Sequence, residues 1–165
     1  AAGSLTGIRG ASGAGKSTML HALAGLLAAT GSLKWGDTDL CDLSQSARTR
    51  FRGRNMGMIF QDFLLFEEMT ARENAIVSSA FRPDRRALAS RADALMQRLG
   101  IAALADRRAE ILSGGERQRV AVVRALAHDP AILLALLAPG LVLGAVICRG
   151  LALRALLASL LRRYP

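Results

Sequence analysis

Cysteine is scarce in this sequence: Cys41 and Cys148 are the only two in 165 residues. That excludes a disulfide-built scaffold and fits a reducing compartment. With no His or Cys at ligand spacing, a zinc site is not expected either. Aromatic residues make up 4% of the chain, and no basic run has aromatics interleaved in it, so no nucleic-acid partner is expected. Lysine is nearly absent: Lys16 and Lys34 are the only two among 22 basic residues. The formal charge of +9 is therefore carried almost wholly by arginine on an Ala-, Gly- and Leu-rich background. That pattern reads as a bias of the coding sequence as much as a surface selected for anions. No acidic residue follows Asp129. No recognisable signal peptide is seen, no segment repeats at a fixed period, and a start at Ala1-Ala2-Gly3 without Met reads as that of a fragment or a processed chain.

What is present points to one folded unit. An apolar fraction of 52% excludes a wholly disordered chain, and 165 residues suffice for one domain with a core. An apolar segment from Leu5 to Ile8 leads into a glycine-rich turn. A helix is predicted from Lys16 to about Ala29, apolar on most sides as a buried helix would be. Gly31 to Leu40 reads as strand and turn around Gly36-Asp37, Ser44 to Arg52 as a polar, Arg-rich helix, and Met56 to Phe60 as a short buried strand. Thr70 and Glu73 form a Thr-x-x-Glu capping box that predicts a helix start. Pro83 opens another helix, in which Leu88, Ala92, Leu95, Met96 and Leu99 recur at helical spacing up to a stop at Gly100. Ser113 and Glu116 make a second capping box, for a helix running to about Ala127. Pro130 ends it, and Ala131 to Ala135 reads as a buried strand. Strand, turn and helix, then a helical block, then a strand again describe an α/β fold with a helical insertion. From Pro130 to Cys148 no residue is charged, and beyond it Arg149, Arg154, Arg162 and Arg163 stand on a Leu/Ala background.

The stretch Gly10-Ala11-Ser12-Gly13-Ala14-Gly15-Lys16-Ser17 fits G-x-x-x-x-G-K-[ST]. Glycines let the backbone curl so that successive N–H groups form an anion-binding nest. The following helix adds the partial positive charge of its N-terminus. Lys16 is expected to reach the β- and γ-phosphates of a nucleotide, and the Ser17 hydroxyl to ligate Mg²⁺. Thr18 reads as a helix residue close to the phosphates.

A phosphate loop alone does not choose among nucleotide-binding proteins. Leu112-Ser113-Gly114-Gly115-Glu116-Arg117-Gln118-Arg119 narrows the choice. With this segment the chain resembles the ATP-binding subunits of ABC transporters, whose signature is usually written L-S-G-G-Q and often reads L-S-G-G-E. The resemblance covers about Gly3 to Ala135 and implies a P-loop NTPase (RecA-like) core with an inserted helical subdomain. It implies a core of about residues 1–67 and 128–138, a helical subdomain of about 68–127, and an atypical apolar tail over 139–165. In the family the signature contacts the γ-phosphate of ATP held by the phosphate loop of a second subunit. Ser113, Gly114, Gly115 and Glu116 are thus implied contacts in a head-to-tail homodimer or heterodimer. Ser113 and Glu116 also read as plain helix caps, and both readings can hold together. Gln61, in Ile59-Phe60-Gln61-Asp62-Phe63, matches the family's Q-loop glutamine, which stands near Mg²⁺ and the attacking water and links to the block that docks on membrane subunits. The stretch from Arg50 to Gln61 is most similar to the lipoprotein-release and macrolide-export branch. The resemblance further implies ATP and Mg²⁺ as ligands, transmembrane permease subunits as partners, and a peripheral place on the cytoplasmic face of the membrane.

The sequence also departs from the family. There, the strand after the signature helix ends in Asp-Glu, the Asp holding Mg²⁺ through water and the Glu polarising the attacking water. Aligning Ala131–Ala135 with that strand puts Leu136 and Leu137 at those positions, and no later carboxylate exists. Asp129 lies at the strand's other end. The family's downstream switch histidine is missing: His21 reads as an ordinary helix residue, and His128 as a helix C-terminal residue favoured by the dipole. The adenine-stacking aromatic would lie upstream of Ala1. These departures suggest a chain cut at its start and diverging near Leu136 by frameshift or gene decay. Hydrolysis is expected to be slowed by roughly 10³-fold or more. Reading the other frames of the genomic DNA beyond Ala135 tests the frameshift: no frame encoding Asp-Glu-Pro-Thr-Gly or a close relative would refute it. The alternatives are a non-catalytic or non-functional fragment of such a subunit, a chromosome-maintenance ATPase, and a membrane span over Pro130–Cys148. The block between the two motifs is too short for the coiled coil of a chromosome-maintenance protein, and Pro139-Gly140 falls in the middle of the span.

Overall fold

Caps and glycine stops set most of the elements in the computed structural model, which describes residues 6, 8, 10–11 and 13–135. Helix α1 covers Lys16–Leu23. It ends well short of Ala29, because Gly25 takes φ 64° and the amides of Leu26 and Leu27 both turn back to the carbonyl of His21. Nor is it buried on most sides. Only Leu20 is fully buried, and Met19 is exposed.

A hairpin follows, β1 (Lys34–Trp35) against β2 (Thr38–Asp39), turning at Gly36-Asp37 as expected, with Gly36 at φ 61°. Helix α2 (Gln45–Asn55) starts where the Ser44 hydroxyl accepts from the Ala47 amide at 3.3 Å. It leads directly into strand β3 (Met56–Ile59).

The helical block begins with α3 (Ala71–Ile76), whose Thr70–Glu73 capping box is closed in both directions. Next comes α4 (Arg85–Arg98), which stops at Gly100 with φ 68°. Its predicted stripe faces inward: Leu88, Ala92, Met96 and Leu99 are buried and Leu95 is half-buried. The second capping box, Ser113–Glu116, opens α5 (Gly114–Leu126). Strand β4 (Ile132–Ala135) follows, buried throughout.

Strands β3 and β4 pair in parallel, Met56 opposite Ile132 and Ile59 opposite Ala135, with the whole helical block as the crossover between them. Parallel strands buried on both faces need apolar residues at every position, and the alternation sorts those residues into two cores. Ile59, Leu133 and Ala135 pack into the helical block with Leu88, Met96 and Val120. Met56, Ile132 and Leu134 pack on the other side with Leu20, Ala24 and Leu40. Gly57 lies between β3 and α5: a Cβ there would run into the carbonyl of Ala125 and come within 3.0 Å of Leu133 and of Pro130. Helix α5 is therefore seated on the strand backbone itself.

Of the predicted Leu5–Ile8 segment, Thr6 and Ile8 lie outside any helix or strand, and the rest falls outside the described residues. Leu136, Leu137 and the 139–165 tail also lie outside them. Within the alternative membrane span, Ile132–Ala135 form β4, a strand and not part of a helix. Among the described residues no helix is long and apolar enough to cross a membrane.

Candidate functional site

The glycine-rich loop is built as its residue types require. Gly13 and Gly15 both stand at φ 80°, a left-handed conformation that side chains strain against, and the space where their Cβ atoms would project is open. Between them the Ala14 amide donates to the Ala11 carbonyl at 3.2 Å. Gly15 is the N-cap of α1 and offers no side chain. By contrast, the N-caps of α2, α3 and α5 are closed by the hydroxyls of Ser44, Thr70 and Ser113. The first intrahelical bond of α1 runs from Met19 to Gly15 at 2.8 Å. The amides of Lys16, Ser17 and Thr18 therefore belong to the first turn, whose donors have no partner within a helix. No acidic residue sits there to neutralise them. Ser17 and Thr18 are exposed, and Ser12 lies outside the described residues.

Lys16 does not extend outward. Its ammonium donates to the carbonyls of Gly10 at 2.8 Å and Ala11 at 2.5 Å, so a positive charge is tethered across the loop. The helix carrying it is joined to the end of β3 by the rings of His21 and Phe60, 6.1 Å apart and tilted at 45°. Gln61 is the next residue and is exposed. The structure thus brings the loop helix and Gln61 together, using the histidine that reads as an ordinary helix residue. Because Ile59 pairs with Ala135, the end of β4 also lies beside this corner, and Leu136 is the residue that follows Ala135 in sequence.

The Ser113 turn is arranged differently. The Ser113 amide donates to Glu116 Oε2 at 2.7 Å and its hydroxyl to the same oxygen at 2.8 Å, while the Glu116 amide returns to the hydroxyl at 3.4 Å. The Ser113 hydroxyl first, then its amide, hold the Glu116 carboxyl below the usual carboxylate range, with the charges of Arg107 and Arg119 adding to this. Gly114 and Gly115 leave open space. This turn is anchored to the segment after Gln61, through Arg117 and Glu67 at 3.1 Å.

Two residues near Gln61 escaped the sequence reading. Arg124 on α5 donates to the carbonyls of Phe63 and Leu64. Asn74, fully buried on α3, accepts from the Phe66 amide at 2.8 Å and donates to the Phe66 carbonyl at 2.9 Å. The available signal was a charge inside the apolar run Val120–Leu126 and an amide on the inner face of a short helix. His128 needs correction. Its Nε2 lies 3.1 Å from the Met56 carbonyl and its Nδ1 is buried without a partner. Burial, then the charge of Arg82, pushes its pKa down. The neutral ring is favoured, and the helix dipole does not decide.

Comparison with known proteins agrees with this layout. The family profile described as ABC transporter matches residues 1–135. A phosphonates import ATP-binding protein, PhnC 1 of Rhodopseudomonas palustris (strain HaA2), is 44% identical over 143 residues, covering 81% of this chain and 51% of its own length. The lipoprotein-releasing system ATP-binding protein LolD of Myxococcus xanthus is 42% identical over 135 residues, covering 81% and 60%. The chain thus spans between half and about three-fifths of the length of these curated relatives. They serve different transport systems at similar identity, so identity alone does not select the lipoprotein-release branch. Among solved structures, the dimer of MJ0796, a bacterial ABC transporter cassette, superposes with a TM-score of 0.73 at 33% identity, over 82% of this chain and 61% of that one. The fold is accordingly the P-loop NTPase fold with a helical insertion. The matched stretch carries the glycine loop, Gln61 and the capped Ser113 turn in one frame, and the chain belongs to the ABC transporter family.

Proposed function

We propose that this chain is an ATP-binding subunit that couples ATP binding to transport through partner membrane permease subunits, attached peripherally at the cytoplasmic face. One observation carries the reading: two left-handed glycines feed an N-terminus without a side-chain cap, with Lys16 tethered across it. Gly10, Ala11, Ser12, Gly13, Ala14 and Gly15 would wrap the triphosphate, with the amides of Lys16, Ser17 and Thr18 directed to it. Ser113, Gly114, Gly115 and Glu116 of a second subunit would meet the γ-phosphate across a head-to-tail dimer.

The residues present suit Mg²⁺ carried mainly by the nucleotide. Among the described residues no cluster of three or more His, Cys, Asp or Glu could hold a metal by itself. The Ser17 hydroxyl and the Gln61 amide oxygen are hard, neutral donors of the kind that supplement phosphate oxygens. When bound, Mg²⁺ neutralises charge on the phosphates. Leu136 and Leu137 take the place of the metal-holding and water-orienting carboxylates, so turnover falls by roughly 10³-fold or more.

We take residues 1–67 and 128–138 as the core, 68–127 as the helical subdomain and 139–165 as a distinct tail. Docking of a permease on the helical side is supported by exposed apolar residues beside Gln61: Leu64 at 56%, Phe66 at 49% and Ile111 at 66% exposure. The segments carrying Phe66 and Ile111 are backbone-paired through Met69–Ala109 at 2.9 Å and Glu67–Glu110 at 3.3 Å.

Binding of a fluorescent ATP analogue with Mg²⁺, in the wild type and in Lys16→Ala, tests the proposal. Micromolar affinity lost on substitution is expected. Absent binding, or binding indifferent to Lys16, would refute it and favour a non-functional fragment. Phosphate release at ordinary transporter rates would refute the impaired chemistry, and a gain in rate for Leu136→Asp with Leu137→Glu would support it.

A further inference from the structure

The backbone after Gln61 is held in a form it would not choose by itself. Phe63 and Leu64 stand at φ 57° and 46°, left-handed values that disfavour large side chains. The Leu64 amide turns back tightly to the Asp62 carbonyl at 2.6 Å, and the carbonyls of Phe63 and Leu64 both meet one guanidinium. Arg124 donates through Nη1 to Leu64 at 2.6 Å and through Nη2 to Phe63 at 2.5 Å. A planar fork can hold two adjacent acceptors at once, and an ammonium does so less well. Farther along, Asn74 fixes Phe66 from α3, and Arg117 ties Glu67 to the first turn of α5. The same helix starts at the Ser113 turn and rests on Gly57 through Ala125.

We infer that Arg124 is a positioning residue: it locks the left-handed backbone that follows Gln61 and so makes Gln61 and the Ser113 turn parts of one rigid body. The inference rests on the proposed function for the role of Gln61 toward the nucleotide-borne metal. It adds a mechanical link from one motif to the other, inside a single subunit.

Three variants of the full chain test it: Arg124→Ala, Arg124→Lys, and Arg124→Ala combined with Leu64→Gly. Glycine adopts the left-handed form without strain, so it should make the arginine dispensable if locking that form is the arginine's task. Amide hydrogen exchange without nucleotide is expected to accelerate at residues 63–65 by roughly tenfold in Arg124→Ala, with 85–98 unchanged. The lysine variant should fall between, and the double variant should return toward wild type. The second readout is the gain in ATP-analogue affinity on adding Mg²⁺. It should shrink in Arg124→Ala toward its value in Gln61→Ala, with metal-free affinity held within about twofold, and recover with Leu64→Gly. Unchanged exchange at 63–65, or a defect that Leu64→Gly does not relieve, overturns the inference. If Arg124→Ala fails to fold, Arg124→Lys with and without Leu64→Gly makes the same comparison. If the wild type shows no Lys16-dependent nucleotide binding, the proposed function fails, and the exchange measurements still decide on Arg124.

Discussion

Replacing Gly57 by alanine probes the contact that sets the height of α5 above the sheet. The added methyl would overlap the Ala125 carbonyl and sit 3.0 Å from both Leu133 Cδ1 and Pro130 Cγ. Flexible side-chain ends can yield, but a helix carbonyl moves only with its helix. Overpacking costs about 1–3 kcal/mol in general, and backbone against backbone belongs at the upper end, about 3 kcal/mol. For a domain of this size each kcal/mol lowers the melting temperature by about 2–4 °C, which gives a fall of roughly 6–12 °C. Thermal and urea unfolding followed by circular dichroism measure it. Gly53→Ala is the control. Gly53 lies inside α2 with nothing within 4 Å of its Cβ position, so alanine there should stabilise by about 0.5–1 kcal/mol. If Gly57→Ala is as stable as the wild type within about 0.5 kcal/mol, the seating of α5 on β3 is wrong, and with it the link between the two motifs.

Four further outcomes are expected. Asn74→Ala removes a fully buried amide that closes the loop at Phe66 and also donates to Met69 at 3.3 Å and Thr70 at 3.1 Å; a loss of about 3 kcal/mol in urea unfolding is expected, and a loss under about 1 kcal/mol would contradict it. His128 has its folded pKa lowered below 6.5 by burial and by Arg82, so its contribution is present above that pH and is lost as pH falls below it; stability of His128→Gln should vary less than wild type between about pH 7 and 5. Asp39 is lowered from 3.8 to about 2, first by the Ser32 hydroxyl and then by the amides of Leu33 and Cys41; its stabilisation is complete above the upper value and disappears as pH falls to the lower one, and Asp39→Asn should abolish that part of the acid transition. Glu116→Gln keeps the shape of the cap and removes its charge, so ATP-dependent dimerisation, followed by sedimentation, should strengthen severalfold; weakening would argue against a phosphate approaching that turn.

The parts of the fold visible in the sequence are those in which neighbouring residues supply both partners of an interaction. Thr70 with Glu73, Ser113 with Glu116 and Ser44 with Ala47 close their caps within one turn, and Gly100 ends α4 by its own conformation. The end of α1 was hidden because Leu26 and Leu27 continue an apolar pattern, and one glycine inside such a pattern does not show which hand it will take. Gly25 took the left. The two glycine-bearing motifs were legible for the same local reason, each being the start of a helix. Gln61 was legible only from its place between them. Arg124 was not legible as a site residue, since its partners are backbone carbonyls some sixty residues earlier, which any side chain would supply. His128 was read from its place after a helix, where the dipole favours charge. Tertiary burial outweighed that, and no local pattern reports burial.

The two helix starts differ in a way that bears on order of binding. At α1 the first-turn donors have neither an acidic neighbour nor a side-chain cap. At α5 the Ser113 amide and hydroxyl already serve the Glu116 carboxylate, and Ser113 serves the Glu116 amide in return. An anion at α1 gains donors without displacing an internal acceptor. An anion at α5 has to approach an ionised carboxylate and compete with it for the hydroxyl. Under the proposed dimer the nucleotide is therefore captured first on the glycine loop. The Ser113 turn engages afterwards, since an incoming phosphate and the ionised Glu116 carboxylate repel each other and must share the Ser113 hydroxyl. Under the proposed dimer the charge at Glu116, which the common L-S-G-G-E form of the signature also carries, thus opposes closure and makes it the later step, and neutralising that charge should ease it.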